Sequence, residues 1–163
     1  MAEIKLVRID SRLIHGQVAS QWTPKTAAKS IVIIDDATAA DSFMSEMLQL
    51  ACPRNVDVIV YGVEKGVAQY KADKFGNGNV IVLFQNVDNC YRAFKAGFDF
   101  TELNIAQIPA GPGRVRLPGT TINMNKSEMS MVEEICNSGV ECIMQMTPNE
   151  SRTPLLPIIQ RAK

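Results

Sequence analysis

Short apolar runs recur along the chain, and their inner pattern separates strand from helix. "IKLVRI" (4–9), "SIVIID" (30–35), "DVIVYG" (57–62) and "NVIVLFQ" (79–85) are rich in β-branched residues and read as strands. "IVII" and "VIVLF" within them are continuously apolar instead of alternating. That is the pattern of strands covered on both faces, as in a parallel sheet. "ELNIAQI" (102–108), "TTINMN" (120–125) and "ECIMQM" (141–146) are weaker strand signals.

Helical spacing fills the gaps. "DSFMSEMLQLA" (41–51) puts Phe43, Met47 and Leu50 on one face, with Met44, Leu48 and Ala51 adjoining. "VEKGVAQYKAD" (63–73) is a Gly-interrupted candidate, and "NVDNCYRAFKAGF" (86–98) groups Val87, Cys90, Tyr91 and Phe94. "NKSEMSMVEEICNSG" (125–139) predicts a helix with Ser127 as N-cap, Met129, Val132 and Ile135 on one face, and Gly139 at the C-terminal stop. "TPLLPIIQRA" (153–162) predicts a last helix with Pro154 in its first turn, where Pro157 sits awkwardly. "QIPAGPGRVRLPGTT" (107–121) holds three prolines and three glycines and reads as a loop or short hairpin. The alternation predicts a single α/β domain over residues 1–163, with a mostly parallel sheet, helices on both faces and right-handed crossovers.

Composition narrows the class. The chain has 163 residues, 46% of them hydrophobic, enough for one buried core. Seventeen basic residues balance seventeen acidic ones, so net charge gives no reason to expect nucleic acid or an anionic membrane as partner. Cys52, Cys90, Cys136 and Cys142 show no CxxC pair and no zinc spacing, and read as reduced residues in or near the core of a cytoplasmic protein. "MAEIKLVRID" lacks the basic region and apolar run of a signal peptide, and no run approaches the roughly 20 apolar residues of a membrane span.

The only histidine, His15, follows the first strand in "VRIDSRLIHGQVASQW". In open α/β sheets ligands gather beyond the carboxyl ends of strands. That edge collects Asp10, Arg12 and His15 after the first strand, and Asp35 and Asp36 after the second. A helix starting near His15 or Gly16 would aim free N–H groups at the loop, a ready site for a phosphoryl group, and would disfavour imidazolium. Asp10 or a backbone carbonyl could hold one ring nitrogen, Arg8 or Arg12 could offset phosphoryl charge, and Gly16 lets another group come close. The plainer readings are a capping or surface histidine with a solvated ion pair, and an Asp35–Asp36 turn and helix cap. No phosphate-loop or dinucleotide fingerprint is present; Arg114 and Arg116 of the Pro/Gly-rich loop are candidate anion contacts.

"RIDSRLIHGQVASQW" resembles the phosphorylation-site segment of the enzyme IIB subunits of the mannose/fructose/sorbose family of the bacterial sugar phosphotransferase system. The family pattern R-I-D-x-R-L-I-H-G-Q-V, then Trp, is matched by Arg8, Ile9, Asp10, Arg12, Leu13, Ile14, His15, Gly16, Gln17, Val18 and Trp22. "IVIIDDATAAD" and "GVECIMQMTP" resemble further family segments, so the likeness spans nearly the whole chain. It implies a sheet of about seven strands. It also implies a phosphoryl carrier that accepts phosphate on Nδ1 of His15 from the phosphohistidine of IIA, and passes it to a sugar crossing the membrane through IIC and IID. Asp10, Arg12, Gly16 and Gln17 would support the phosphate loop, with Arg8, Asp35 and Asp36 near it. No metal or cofactor is implied. The protein would work in the cytoplasm, held at the inner membrane face through IIC and IID, and a homodimer stays open. One departure stands out: where the family carries N-V-G-G or N-V-G-N, this chain has "NIAQ", with Ala106 and Gln107 replacing the two small or polar positions, and the loss of glycine brings that loop's backbone into question. A regulatory module that keeps the fold, a small-ligand-binding protein and a His–Asp hydrolase are the competing readings.

Overall fold

The continuously apolar runs form the inner strands of a sheet covered on both faces. The computed structural model describes residues 2–163. Among them the strands are β1 (Ala2–Asp10), β2 (Ser30–Ile34), β3 (Asp57–Tyr61), β4 (Gly78–Phe84), β5 (Glu102–Gln107), β6 (Val115–Arg116), β7 (Asn123–Met124), β8 (Glu141–Met144) and β9 (Thr153–Pro154). Seven make one sheet in the order β3-β2-β4-β1-β5-β8-β9. All its pairings are parallel except that of the edge strand β9, which runs antiparallel to β8. A π-helical segment, Val18–Trp22, runs into α1 (Thr23–Thr26). The other helices are α2 (Asp36–Ala39), α3 (Ser42–Leu50), α4 (Val63–Asp73), α5 (Val87–Lys95), α6 (Lys126–Asn137) and α7 (Leu156–Ala162).

Alternation along the strands feeds two cores. Val7, Ile9, Val32, Ile34, Val82 and Phe84 meet residues of α4 to α7 on one face. Leu6, Ile31, Ile33, Ile81 and Leu83 meet Leu13, Ile14, Val18, Trp22 and Leu48 on the other. The loop after β1 is therefore nailed to the second core by its own apolar residues.

Four local expectations are corrected. The α6 N-cap is Asn125, not Ser127: the Asn125 side chain accepts from the Glu128 N–H, and the Glu128 carboxylate accepts from the Asn125 N–H. That reciprocal pair satisfies two free donors at once, which a cap at Ser127 would forgo. Pro154 lies in β9, and α7 begins later with Pro157 in its first turn, where a missing N–H costs nothing. The predicted 120–125 strand shrinks to the two-residue β7, paired as a hairpin with β6 of the Pro/Gly-rich region. In α3 only Leu48 is buried, and Phe43, Met47 and Leu50 point outward.

Candidate active site

β1 leaves the sheet between the carboxyl ends of β4 and β5, where the chain's direction across the sheet reverses. Arg8 and Asp10 stand two residues apart, on the strand face that carries Leu6 and meets Trp22. Both side chains are fully buried. A buried guanidinium needs its donors met, and here both terminal nitrogens are bonded while Nε has no partner among the described residues. Arg8 Nη2 donates to Asp10 Oδ2 at 3.1 Å and Nη1 to the Gln145 carbonyl at 3.0 Å. Its guanidinium carbon lies 5.6 Å from the Trp22 ring centroid, and Trp22 Nε1 donates to the Met146 carbonyl at 2.9 Å. The exit of β8 thus fixes both partners. Arg8 has no exposure, so it is a buried support for Asp10, near the loop as the sequence suggested but able to offset phosphoryl charge only from behind that carboxylate.

The loop itself is tied on both flanks. Ser11 N–H donates to the Gln107 carbonyl at 3.1 Å, and the Gln85 amide donates to the Ser11 carbonyl at 3.3 Å. Leu13 N–H closes a turn onto the Asp10 carbonyl at 2.9 Å. Leu13 holds φ of +56°, a left-handed conformation that costs a non-glycine residue about 1–2 kcal/mol; burial of its side chain offsets this. The chain turns helical directly after His15, and Ala19 N–H donates to the His15 carbonyl at 3.0 Å. The N–H groups of Gly16, Gln17 and Val18 therefore precede the first helical bond. A Cβ built on Gly16 would meet nothing within 4 Å, so glycine there leaves open space in front of the loop.

Asp10 is the hub. Its Oδ1 accepts from Arg12 N–H and Nε, each at 3.0 Å. Its Oδ2 accepts from Arg12 Nη2 at 3.1 Å, and His15 Nε2 stands 3.0 Å from it. Burial alone would raise the Asp10 pKa, but the bonds from Arg12, the Arg8 charge and His15 outweigh it and hold the carboxyl below its ordinary range. A carboxylate only accepts, so the proton between it and the ring sits on His15 Nε2. Burial is the largest influence on the His15 pKa, and together with the charges of Arg12 and Arg8 it outweighs the pull of Asp10 and holds the pKa below its ordinary value. At neutral pH the ring is neutral, with an unprotonated Nδ1 that makes no bond within the described residues. The His15 side chain is 17% exposed and that of Arg12 36%, so both reach solvent. The arrangement is a nucleophilic nitrogen beside a cation, backed by a buried anion. Gln17 lies one residue into the helix with its side-chain carbonyl oxygen buried and unpartnered among the described residues.

Asp35 and Asp36 do not join this group. β4 separates β2 from β1, so the two strand exits are two strand spacings apart, or roughly 10 Å. Asp35 caps α2 through Thr38 and accepts from Asn89 at 2.5 Å. Asp36 pairs with Arg92 at 2.7 Å and accepts from Val63 N–H. Arg114 is engaged by Glu128 at 3.0 Å, and Arg116 by the Thr120 carbonyl. Ala106 and Gln107 lie in β5, where the pairing with β1 shifts register past Ala106, but neither has positive φ, so the left-handed backbone that would need glycine is absent there. The sequence missed the carbonyls of Gln145 and Met146 and the Leu13 turn. The one available signal was the two-residue spacing of Arg8 and Asp10 in a strand. Among the described residues no three of His, Cys, Asp and Glu group as a metal site.

A family model described as the sorbose subfamily IIB component of the PTS system matches residues 4–163. The chain belongs to this PTS IIB family. The IIB component is 28% identical to the sorbose-specific EIIB component of Klebsiella pneumoniae, over 94% of this chain and 93% of that one. It is 26% identical to the mannose-specific EIIAB component of Escherichia coli K12, matching over 97% of its own length but spanning only 49% of that relative. Its fold superimposes on the crystal structure of manxB from Thermoanaerobacter tengcongensis with TM-score 0.87 and 32% identity, over 99% and 97% of the two chains. The IIBSor domain of the Klebsiella pneumoniae sorbose permease gives TM-score 0.90 and 27% identity, over 99% and 98%. The IIB component thus belongs to a sugar phosphotransferase system, with the parallel α/β fold of its relatives.

Proposed function

We propose that His15 is the phosphoryl carrier of this IIB component. It takes the group from the phosphohistidine of a IIA protein and gives it to a sugar moving through the membrane subunits IIC and IID. The observation that carries the reading is the 3.0 Å contact of His15 Nε2 with the buried Asp10 carboxylate, which leaves Nδ1 as the free nucleophile. The Nδ1 lone pair attacks phosphorus, and the donor's P–N bond breaks with its electron pair returning to the donor ring. Nε2 keeps its proton, so the His15 ring gains positive charge as the new P–N bond forms. Asp10 faces that charge and stabilises it. Arg12 Nη1 has no partner within the described residues, which supports a role in bonding a phosphoryl oxygen together with the first N–H groups of the helix that starts at Gly16.

In the second half-reaction a sugar hydroxyl attacks phosphorus, and its proton passes to a base on the acceptor side. His15 leaves as the neutral ring it began as, so the carrier is regenerated with no net proton change. The work takes place in the cytoplasm, at the inner membrane face where IIC and IID present the sugar. The test is phosphorylation by phosphoenolpyruvate, enzyme I, HPr and a mannose-family IIA, read by intact mass. One acid-labile phosphoryl adduct on the wild type and none on His15→Ala is expected. An unmodified wild type beside a fully loaded control IIB would overturn the reading.

A further inference from the structure

The apolar face of α3 stands apart from the rest of the surface. Phe43 is 69% exposed and Leu50 79%, with Met44 and Met47 nearly half exposed, on a nine-residue helix anchored by Leu48. Four of the five large hydrophobic residues exposed among the described residues lie on this helix. A groove of about 340 Å³ runs between α3 and the His15 loop, with Met44 and Leu48 on one wall and Arg12 and Leu13 on the other. Met44 joins the stripe to the groove, and Arg12 on its far wall shares the Asp10 Oδ2 acceptor with the His15 ring, so the groove leads from α3 to the His15 loop.

We propose that the α3 stripe is the docking surface for the phosphorylated IIA donor; this rests on the reading of His15 as acceptor. Charge selects the donor over the later partners. Before transfer Arg8 and Arg12 against Asp10 leave the His15 end with one net positive charge, which complements a phosphoryl dianion, while Asp41 across the groove is engaged as the N-cap of α3. After transfer the protonated phosphohistidine carries one net negative charge and the site is neutral, so the attraction is gone. Arg12 is the exposed cation of this site and it forms a wall of the groove that borders α3. A donor drawn to Arg12 therefore arrives over Met44 and the stripe beside it. A patch of this kind covers a few hundred Å², below the ~800 Å² per partner of a stable complex. It suits a partner that binds and leaves, and methionine side chains adapt to such contacts.

The test is Phe43→Gln/Met47→Gln, a surface change that keeps helix propensity. Single-turnover transfer is followed over a range of phospho-IIA concentrations, with titration calorimetry of unphosphorylated IIA as an independent measure of docking. Half-saturation and the calorimetric Kd should both rise about tenfold. The rate at saturation, the melting temperature and onward transfer to sugar in vesicles holding IIC and IID should not change. Unchanged half-saturation and Kd would overturn the proposal. So would a loss confined to the vesicle step, which would give the stripe to the membrane subunits, or self-association of the wild type that the variant abolishes. Tight IIA binding by a wild type that never takes up phosphate would sink the His15 reading and leave the docking surface standing.

Discussion

Replacing Asp10 by Asn probes the hub of the site. The carboxylate accepts five contacts, from Arg8, from three Arg12 groups and from His15, and every side-chain donor but His15 is cationic. The amide keeps one acceptor oxygen and turns an NH₂ toward donors on the other side. The larger loss is charge: Arg8 stays fully buried with no counter-ion. Breaking a buried pair from one side costs about 3–5 kcal/mol. For a chain of this size that lowers Tm by roughly 6–20 °C. Transfer should slow as well. A neutral bond replaces a charge-assisted one to a ring that becomes positive, a loss of about 1–2 kcal/mol, or roughly 5–30-fold in rate. Urea unfolding can be followed by the fluorescence of Trp22, the only tryptophan, which packs on Arg8. Adding Arg8→Met removes the stranded charge, so the double variant should regain most of the lost stability and none of the rate. A single variant within about 1 kcal/mol of wild type, or a double variant no more stable than the single one, would refute the argument.

His15 titrates below its ordinary 6.5 because burial, then the Arg charges, disfavour the cation against the pull of Asp10. The folded state then binds fewer protons than the unfolded one. Its contribution to stability is complete above 6.5 and is lost as pH falls toward the folded pKa, so wild type should lose stability faster than His15→Gln below pH 6.5 in urea melts. In Asp10→Asn the ring should titrate lower still, visible in the NMR shift of its C2 proton. At Leu13 glycine should be no worse than alanine in urea melts, against the usual penalty of up to about 1 kcal/mol for glycine, because φ is +56° there. Asp35→Asn should cost about 1–3 kcal/mol through its bonds to Thr38 and Asn89. Asp36→Asn should leave the single-turnover transfer rate unchanged, since neither residue reaches His15.

The strands were legible because burial on both faces forces continuous apolar runs, and "IVII" and "VIVLF" are such runs. The π-helical turn after His15 was not, since its backbone pattern leaves no distinct residue period. Asp35 and Asp36 were grouped with His15 because turn chemistry marks a strand end but says nothing of strand order, and β4 intervenes. The stripe of α3 has helical spacing, but spacing cannot tell a face that meets the core from one turned to solvent. The Asn125 cap was readable, since Glu128 follows it by three residues and completes a capping box that Ser127 cannot form. At the site itself, the two-residue spacing of Arg8 and Asp10 in a strand puts both on one face, where both are buried.

The central claim concerns one ring nitrogen, and the chain has a single histidine. Nitrogen-15 NMR of the imidazole, before and after loading from phospho-IIA, reads it without overlap. The account predicts a proton on Nε2 in the free protein and the phosphoryl group on Nδ1 afterwards, with the Nε2 proton retained. A phosphoryl group on Nε2, the nitrogen turned toward Asp10, would contradict it.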